Sequence, residues 1–135
     1  MKLLADNGIP VGIVTGAQRD DVLAVLGSSP TGELVSFLIA EEDVSNGKPH
    51  PEGFLAAAST LNRLPTDVLV FEDSLPGVQA AVAAGMHCIA VCAVDPGPEL
   101  SAAAPTIVTE LSAELVAESL NRWRRERANP VPPAT

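Results

Sequence analysis

At 135 residues, 47 % of them apolar, the chain has room for one domain with a core of its own but not for two, and its composition argues against wholesale disorder. Seventeen acids against eight bases give a net charge of −9, and four of those bases, Arg122, Arg124, Arg125 and Arg127, crowd near the C-terminus, so the remainder is more acidic still. A surface of that sign repels phosphate backbones, which argues against nucleic acid and anionic membranes as partners and leaves any anionic small substrate in need of local help such as a metal ion.

In chain order, residues 1–7 followed by Gly8 read as the last turns of a helix with its glycine cap, a helix that has no beginning. Asp6-Asn7-Gly8 interrupts the opening apolar residues before a signal-peptide core can form, and no apolar run approaches the length of a membrane span. The expected compartment is the cytoplasm. Short apolar runs without period-two alternation recur at residues 11–14, 34–40, 68–71 and 88–94, and more weakly at 106–108. Such runs suit strands buried on both faces, as in a parallel sheet.

Between these runs, residues 18–26 and 52–62 space their apolar side chains at three and four, as amphipathic helices do. Residues 76–84 open on a proline suited to a first helical turn and stop at Gly85, and a last helix is expected over residues 112–127. The alternation of strand and helix predicts an α/β domain over residues 1–127, a Rossmann-like parallel sheet with flanking helices. Residues 128–135 form a proline-rich tail that is expected to be disordered. Cys88 and Cys92 lie on one predicted strand, about 13 Å apart at ~3.3 Å per residue, too far for a disulfide, and are expected as buried thiols.

In open α/β sheets ligands bind beyond the carboxyl ends of the strands, so the residues after each run are the candidates. The first run is followed by Thr15-Gly16-Ala17-Gln18-Arg19 and a helix; a hydroxyl, a glycine and unpaired helix N–H groups suit a phosphate, while Thr15 as a plain helix cap is the structural alternative. The third run ends in Glu72-Asp73 ahead of Ser74-Leu75-Pro76-Gly77. Carboxylates there suit Mg²⁺, and an acidic helix start favoured by the dipole is the alternative. Between the second run and its helix, Lys48 is fixed in Gly47-Lys48-Pro49, a stretch that reads as a rigid loop and makes the lysine a phosphate partner rather than a loose surface charge. His50 carries a weaker signal for ligand contact, His87 reads as structural, and Arg19 is a weak candidate for a second anionic group.

Together these segments resemble the haloacid dehalogenase superfamily of phosphohydrolases. Ile13-Val14-Thr15-Gly16 looks like its second motif, the string from Gly47 to Phe54 like its third, and the string from Val70 to Ala81, with the Glu72-Asp73 pair, like its fourth. The pattern is most similar to the subgroup of β-phosphoglucomutase and phosphoglycolate phosphatase. The resemblance implies that Thr15 and the Gly16 amide hold phosphoryl oxygens, that Lys48 neutralises the phosphate, and that Asp73 with Glu72 binds Mg²⁺, all toward a small phosphorylated metabolite.

One departure bears on the chemistry. The superfamily's first motif, an Asp-x-Asp that supplies the nucleophile, occurs nowhere in the 135 residues, and the helical cap domain that helps to select the substrate is missing too. The resemblance therefore implies a partial core whose first strand is missing, between the strands at 11–14 and 68–71. Those two strands must then pair directly, leave a gap, or accept a strand from a partner chain. Three readings follow: the C-terminal portion of a Mg²⁺-dependent phosphatase or mutase, inactive as an isolated chain; a non-catalytic phosphate- and metal-binding module; or half of a split enzyme.

Overall fold

The computed structural model describes residue 4 and residues 6–104 and 106–128. The tail expected over 128–135 therefore lies, apart from Ala128, outside the described residues. Near the N-terminus the helical end is present: the Asn7 and Ile9 amides both donate to the Leu4 carbonyl, at 3.2 and 2.9 Å, and Gly8 takes φ +68°, the left-handed turn that closes a helix.

Among the described residues five strands and five helices follow in alternation: β1 Val11–Val14, α1 Arg19–Gly27, β2 Val35–Ile39, α2 Glu52–Leu61, β3 Leu69–Glu72, α3 Leu75–Ala83, β4 His87–Val91, α4 Gly97–Ala103, β5 Thr106–Val108 and α5 Ala113–Ala128. The α/β class is as the sequence predicts, and β1 and β5 keep their expected bounds. Strand β3 runs one residue later than expected, so Glu72 ends the strand rather than following it. Strand β4 stops at Val91, which leaves Cys92 half-buried just beyond it, against the expectation of two buried thiols. Helix α4 adds an element the apolar pattern does not reveal; its proline near the start, Pro98, is tolerated because the first helical N–H groups have no partner to lose.

All pairings are parallel, but they make two sheets: β1 with β2, and β3 with β4 and β5. Of the three arrangements open to β1 and β3, direct pairing is ruled out, and the edges they turn toward each other carry no strand among the described residues. The Thr15 amide donates to the Ile39 carbonyl at 2.9 Å, on the β2 side. Alternation along a strand then turns the Val14 carbonyl to the opposite edge, into the opening.

The core gathers on the β3–β4–β5 side. Val78, Ala80, Ala81, Cys88 and Ala90 are fully buried between α3 and β4, and Val70, Leu100 and Phe54 close the cluster. Helix α3 is built for this contact, since its alanines let the backbone lie close to the sheet. Helix α1, by contrast, has no buried residue, and Leu23 and Val25 are 49 % and 68 % exposed. No helix among the described residues is long and apolar enough to cross a membrane.

Candidate functional site

A cavity of about 450 Å³ opens at the carboxyl ends of β1 and β2, walled by Thr15, Gly16, Ala40, Lys48, His50 and Phe54 among others. Thr15 is not the cap of α1. That helix starts at Arg19 with Gln18 in the N-cap position, and the Thr15 hydroxyl oxygen instead accepts the Ala17 amide at 3.1 Å, a local turn that leaves its proton free. The foremost amide of α1 is also taken: the Arg19 N–H donates to both oxygens of Glu42, at 2.9 and 3.2 Å. The expectation of unpaired helix N–H groups is thus corrected for the first of them, because an acid from the turn after β2 takes the Arg19 amide.

Arg19 is engaged as well. Its guanidinium pairs with Asp43 and donates to the Leu38 carbonyl at 3.2 Å, and Asp43 also accepts the Ala40 amide at 2.8 Å. With the Glu41 amide on the Ala17 carbonyl at 3.0 Å, the Thr15–Arg19 loop is fastened to the turn Glu41–Asp43 at its middle and at its C-terminal end. Arg19 therefore holds this loop in shape instead of reaching for a second anionic group.

Lys48 is held by a loop that is itself tied down. Glu52 accepts the Ser45 amide and, at 3.3 Å, the Asn46 amide, while the His50 amide closes on the Gly47 carbonyl at 3.0 Å. His50 in turn accepts the Glu52 amide on Nδ1 at 3.1 Å, a cap for the start of α2. The rigidity expected of the Gly47-Lys48-Pro49 stretch is thus built from named bonds.

From this loop Lys48 crosses the opening between the sheets. Its ammonium donates to the Val14 carbonyl at 3.0 Å and forms an ion pair with Glu72, whose side chain is 9 % exposed. Phe54 lies alongside, its ring centroid 5.2 Å from the Lys48 Nζ.

Glu72 rests at the start of α3, where its carboxylate accepts the Asp73 amide at 3.2 Å and the Ser74 hydroxyl lies 3.5 Å away. Ser74 caps that helix by accepting the Gly77 amide at 3.2 Å. Gly77 is required by contact: a Cβ there would fall on the Glu72 carboxylate. Asp73 is exposed and does not wall the cavity. Of the three expected groups of site residues, then, Thr15–Gly16 and Lys48 share one cavity and Glu72 joins them through its pair with Lys48, while Asp73 is not brought to the cavity. Beneath them, burial and then the Glu72 charge push the Cys88 thiol up from 9.0 to about 11, with Lys48 pulling the other way.

Sequence reasoning missed Phe54 as a neighbour of Lys48, because its spacing with Leu55 and Ala58 marks it only as core. It also missed Glu42, because a run of three acids does not show which of them has a partner.

The sequence profile of the haloacid dehalogenase-like hydrolases matches residues 1–91. The chain belongs to that family. The validoxylamine A 7′-phosphate phosphatase of Streptomyces hygroscopicus subsp. limoneus is 42 % identical over 81 residues, 60 % of this chain and 38 % of that protein. The phosphoglycolate phosphatase of Salmonella choleraesuis strain SC-B67 is 39 % identical over 79 residues, 58 % of this chain and 31 % of that one. Among solved structures, the β-phosphoglucomutase of Clostridium difficile superposes with a TM-score of 0.71 at 29 % identity, covering 92 % of this chain and 56 % of that one. This member of the family thus spans about a third of the length of these two curated relatives and little more than half of that structure. Family phosphatase or phosphomutase chemistry on phosphorylated metabolites is the common ground of these relatives.

Proposed function

We propose that this chain carries the phosphate- and Mg²⁺-binding portion of a phosphatase or phosphomutase for a small phosphorylated metabolite of the sugar-phosphate or phosphoglycolate type. The observation that carries the reading is the convergence of the Thr15 hydroxyl, the Gly16 backbone and the Lys48 ammonium on one cavity. Thr15 already accepts a backbone amide, so its own proton points the hydroxyl toward a phosphoryl oxygen as a donor. The Gly16 amide adds a second donor. Lys48 supplies positive charge, which is what a transferring phosphoryl group most needs from its surroundings.

For Mg²⁺ the donor set fits in part. Asp73 is an exposed carboxylate next to Glu72, and hard oxygen ligands of this kind suit a cation that draws its remaining ligands from water and substrate. Among the described residues no group of three or more His, Cys, Asp or Glu is placed to hold a metal. When bound, the ion would neutralise charge on the phosphate; Asp73 would hold it, and Glu72, paired with Lys48, would offset part of the repulsion between the two cations.

The nucleophile is a separate matter. No Asp-x-Asp occurs in the 135 residues, so the isolated chain is expected to bind phosphate without turning it over. A partner chain laying a strand between β1 and β3 would supply both the missing backbone pairing and a place for such aspartates. The second reading, a binding module that does no chemistry, is favoured by the same absence. Incubation of the purified chain with p-nitrophenyl phosphate and Mg²⁺ tests the expectation that both share: no release of nitrophenol. Metal-dependent turnover lost in Asp73→Ala would overturn the binding-only reading.

A further inference from the structure

Lys48 carries three N–H protons. The Val14 carbonyl and Glu72 take two of them, and the third remains for a ligand in the cavity. Two hydrogen bonds leave a flexible four-carbon side chain free to swing about them, and both partners draw the ammonium into the opening between the sheets. Something on the cavity side has to balance that pull without consuming the third proton.

We propose that the ring face of Phe54 does this, as a positioning residue for Lys48. An aromatic face attracts a cation through its quadrupole and offers no lone pair, so it holds the charge while leaving the N–H groups unspent. The centroid lies 5.2 Å from Nζ, within the range of such contacts. The ring is also firmly placed. Phe54 is 5 % exposed, part of the core cluster with Val70 and Val78, and sits in the first turn of α2. That turn is pressed against β1, since a Cβ at the preceding residue, Gly53, would come within 3.0 Å of a Val14 methyl. The loop residue is thus steadied by a ring that belongs to the core, and Val14 contributes both its carbonyl to Lys48 and its side chain to the seat of α2.

The inference rests on the reading of the cavity as a phosphate site, and its test keeps the two apart. Phe54 is replaced site-specifically by fluorinated phenylalanines that keep its shape while draining the ring face of negative potential, and in parallel by Leu, which keeps apolar bulk alone. Inorganic phosphate binding to the whole chain is measured by calorimetry. The Lys48 ε-methylene signal is followed by NMR, where only Lys2 and Lys48 contribute lysine resonances.

Affinity is expected to fall stepwise with fluorination, by about two- to fivefold at the end of the series and in Phe54→Leu, the span of a partly exposed cation–π contact. The Lys48 signal should move in step while Lys2 stays put. Equal affinity across the series overturns the proposal even if the Leu variant is less stable. If the unsubstituted chain binds no phosphate, the cavity reading fails, and a Lys48 signal indifferent to fluorination overturns the positioning role by itself.

Discussion

The two half-sheets of this chain are built to different standards. On the β3–β4–β5 side, Cys88, Ile89 and Ala90 are 0, 3 and 0 % exposed and α3 buries four of its residues. On the β1–β2 side every residue of β1 is only half-buried, and α1 buries none. The difference separates two tasks. Apolar burial, and with it cooperative stability, is concentrated in the second half, whereas the cavity and its loops stand on the first and are held by polar fastenings: Arg19 with Asp43, Glu42 on the α1 amide, and Lys48 across the opening.

Emptying a position in the well-packed half gives the largest effect. Ile89→Ala should cost about 2–5 kcal/mol of global stability, as the loss of a buried aliphatic group does. Leu23→Ala on α1, at a position 49 % exposed, should cost less than about 0.5 kcal/mol. Urea unfolding of the two variants measures the contrast, and similar costs would erase it.

Next in size is Gly77→Ala. Alanine normally favours a helix over glycine, but its Cβ would take the space of the Glu72 carboxylate, so the variant is expected to be less stable by about 1–3 kcal/mol through the loss of that group's partners. A more stable variant would mean that the carboxylate has another resting place.

Lys48→Met sharpens the comparison by cutting the polar bridge alone. Amides of β1 and β2 should exchange hydrogen about tenfold faster, with those of β4 unchanged, because the half without a deep core has less to fall back on. Uniform acceleration over all five strands would show the halves to be one cooperative unit.

The smallest effect is set by pH. Folded Cys88 binds its proton more tightly than the unfolded thiol does, so its contribution to stability is full below about pH 9 and is lost as pH rises toward 11. The stability gap between the unsubstituted chain and Cys88→Ala should narrow between pH 8 and 10.5. Half-buried Cys92 should be alkylated well before Cys88.

How much of this was legible beforehand follows the same division. Apolar runs announce parallel strands because burial on both faces leaves no other pattern, and β1 and β5 match to the residue. Residue types at strand ends announced Thr15, Lys48 and Asp73 as candidates. Partnerships were illegible. Lys48 and Glu72 are charges on separate elements, and nothing in their local spacing says that one will span the opening to reach the other. Gly77 stood in the string from Val70 to Ala81 with no role of its own, yet it is required by a carboxylate five residues earlier. Phe54 counted as core by its period, which is true of its burial and silent about the cation beside its ring.

The central claim is that Thr15, Gly16 and Lys48 form a phosphate site, and calorimetric titration of the whole chain with inorganic phosphate tests it most directly. Binding is expected, and Lys48→Met should weaken it at least about tenfold, the worth of one charge-assisted contact. Equal binding by both proteins, or none by the unsubstituted chain, would contradict it.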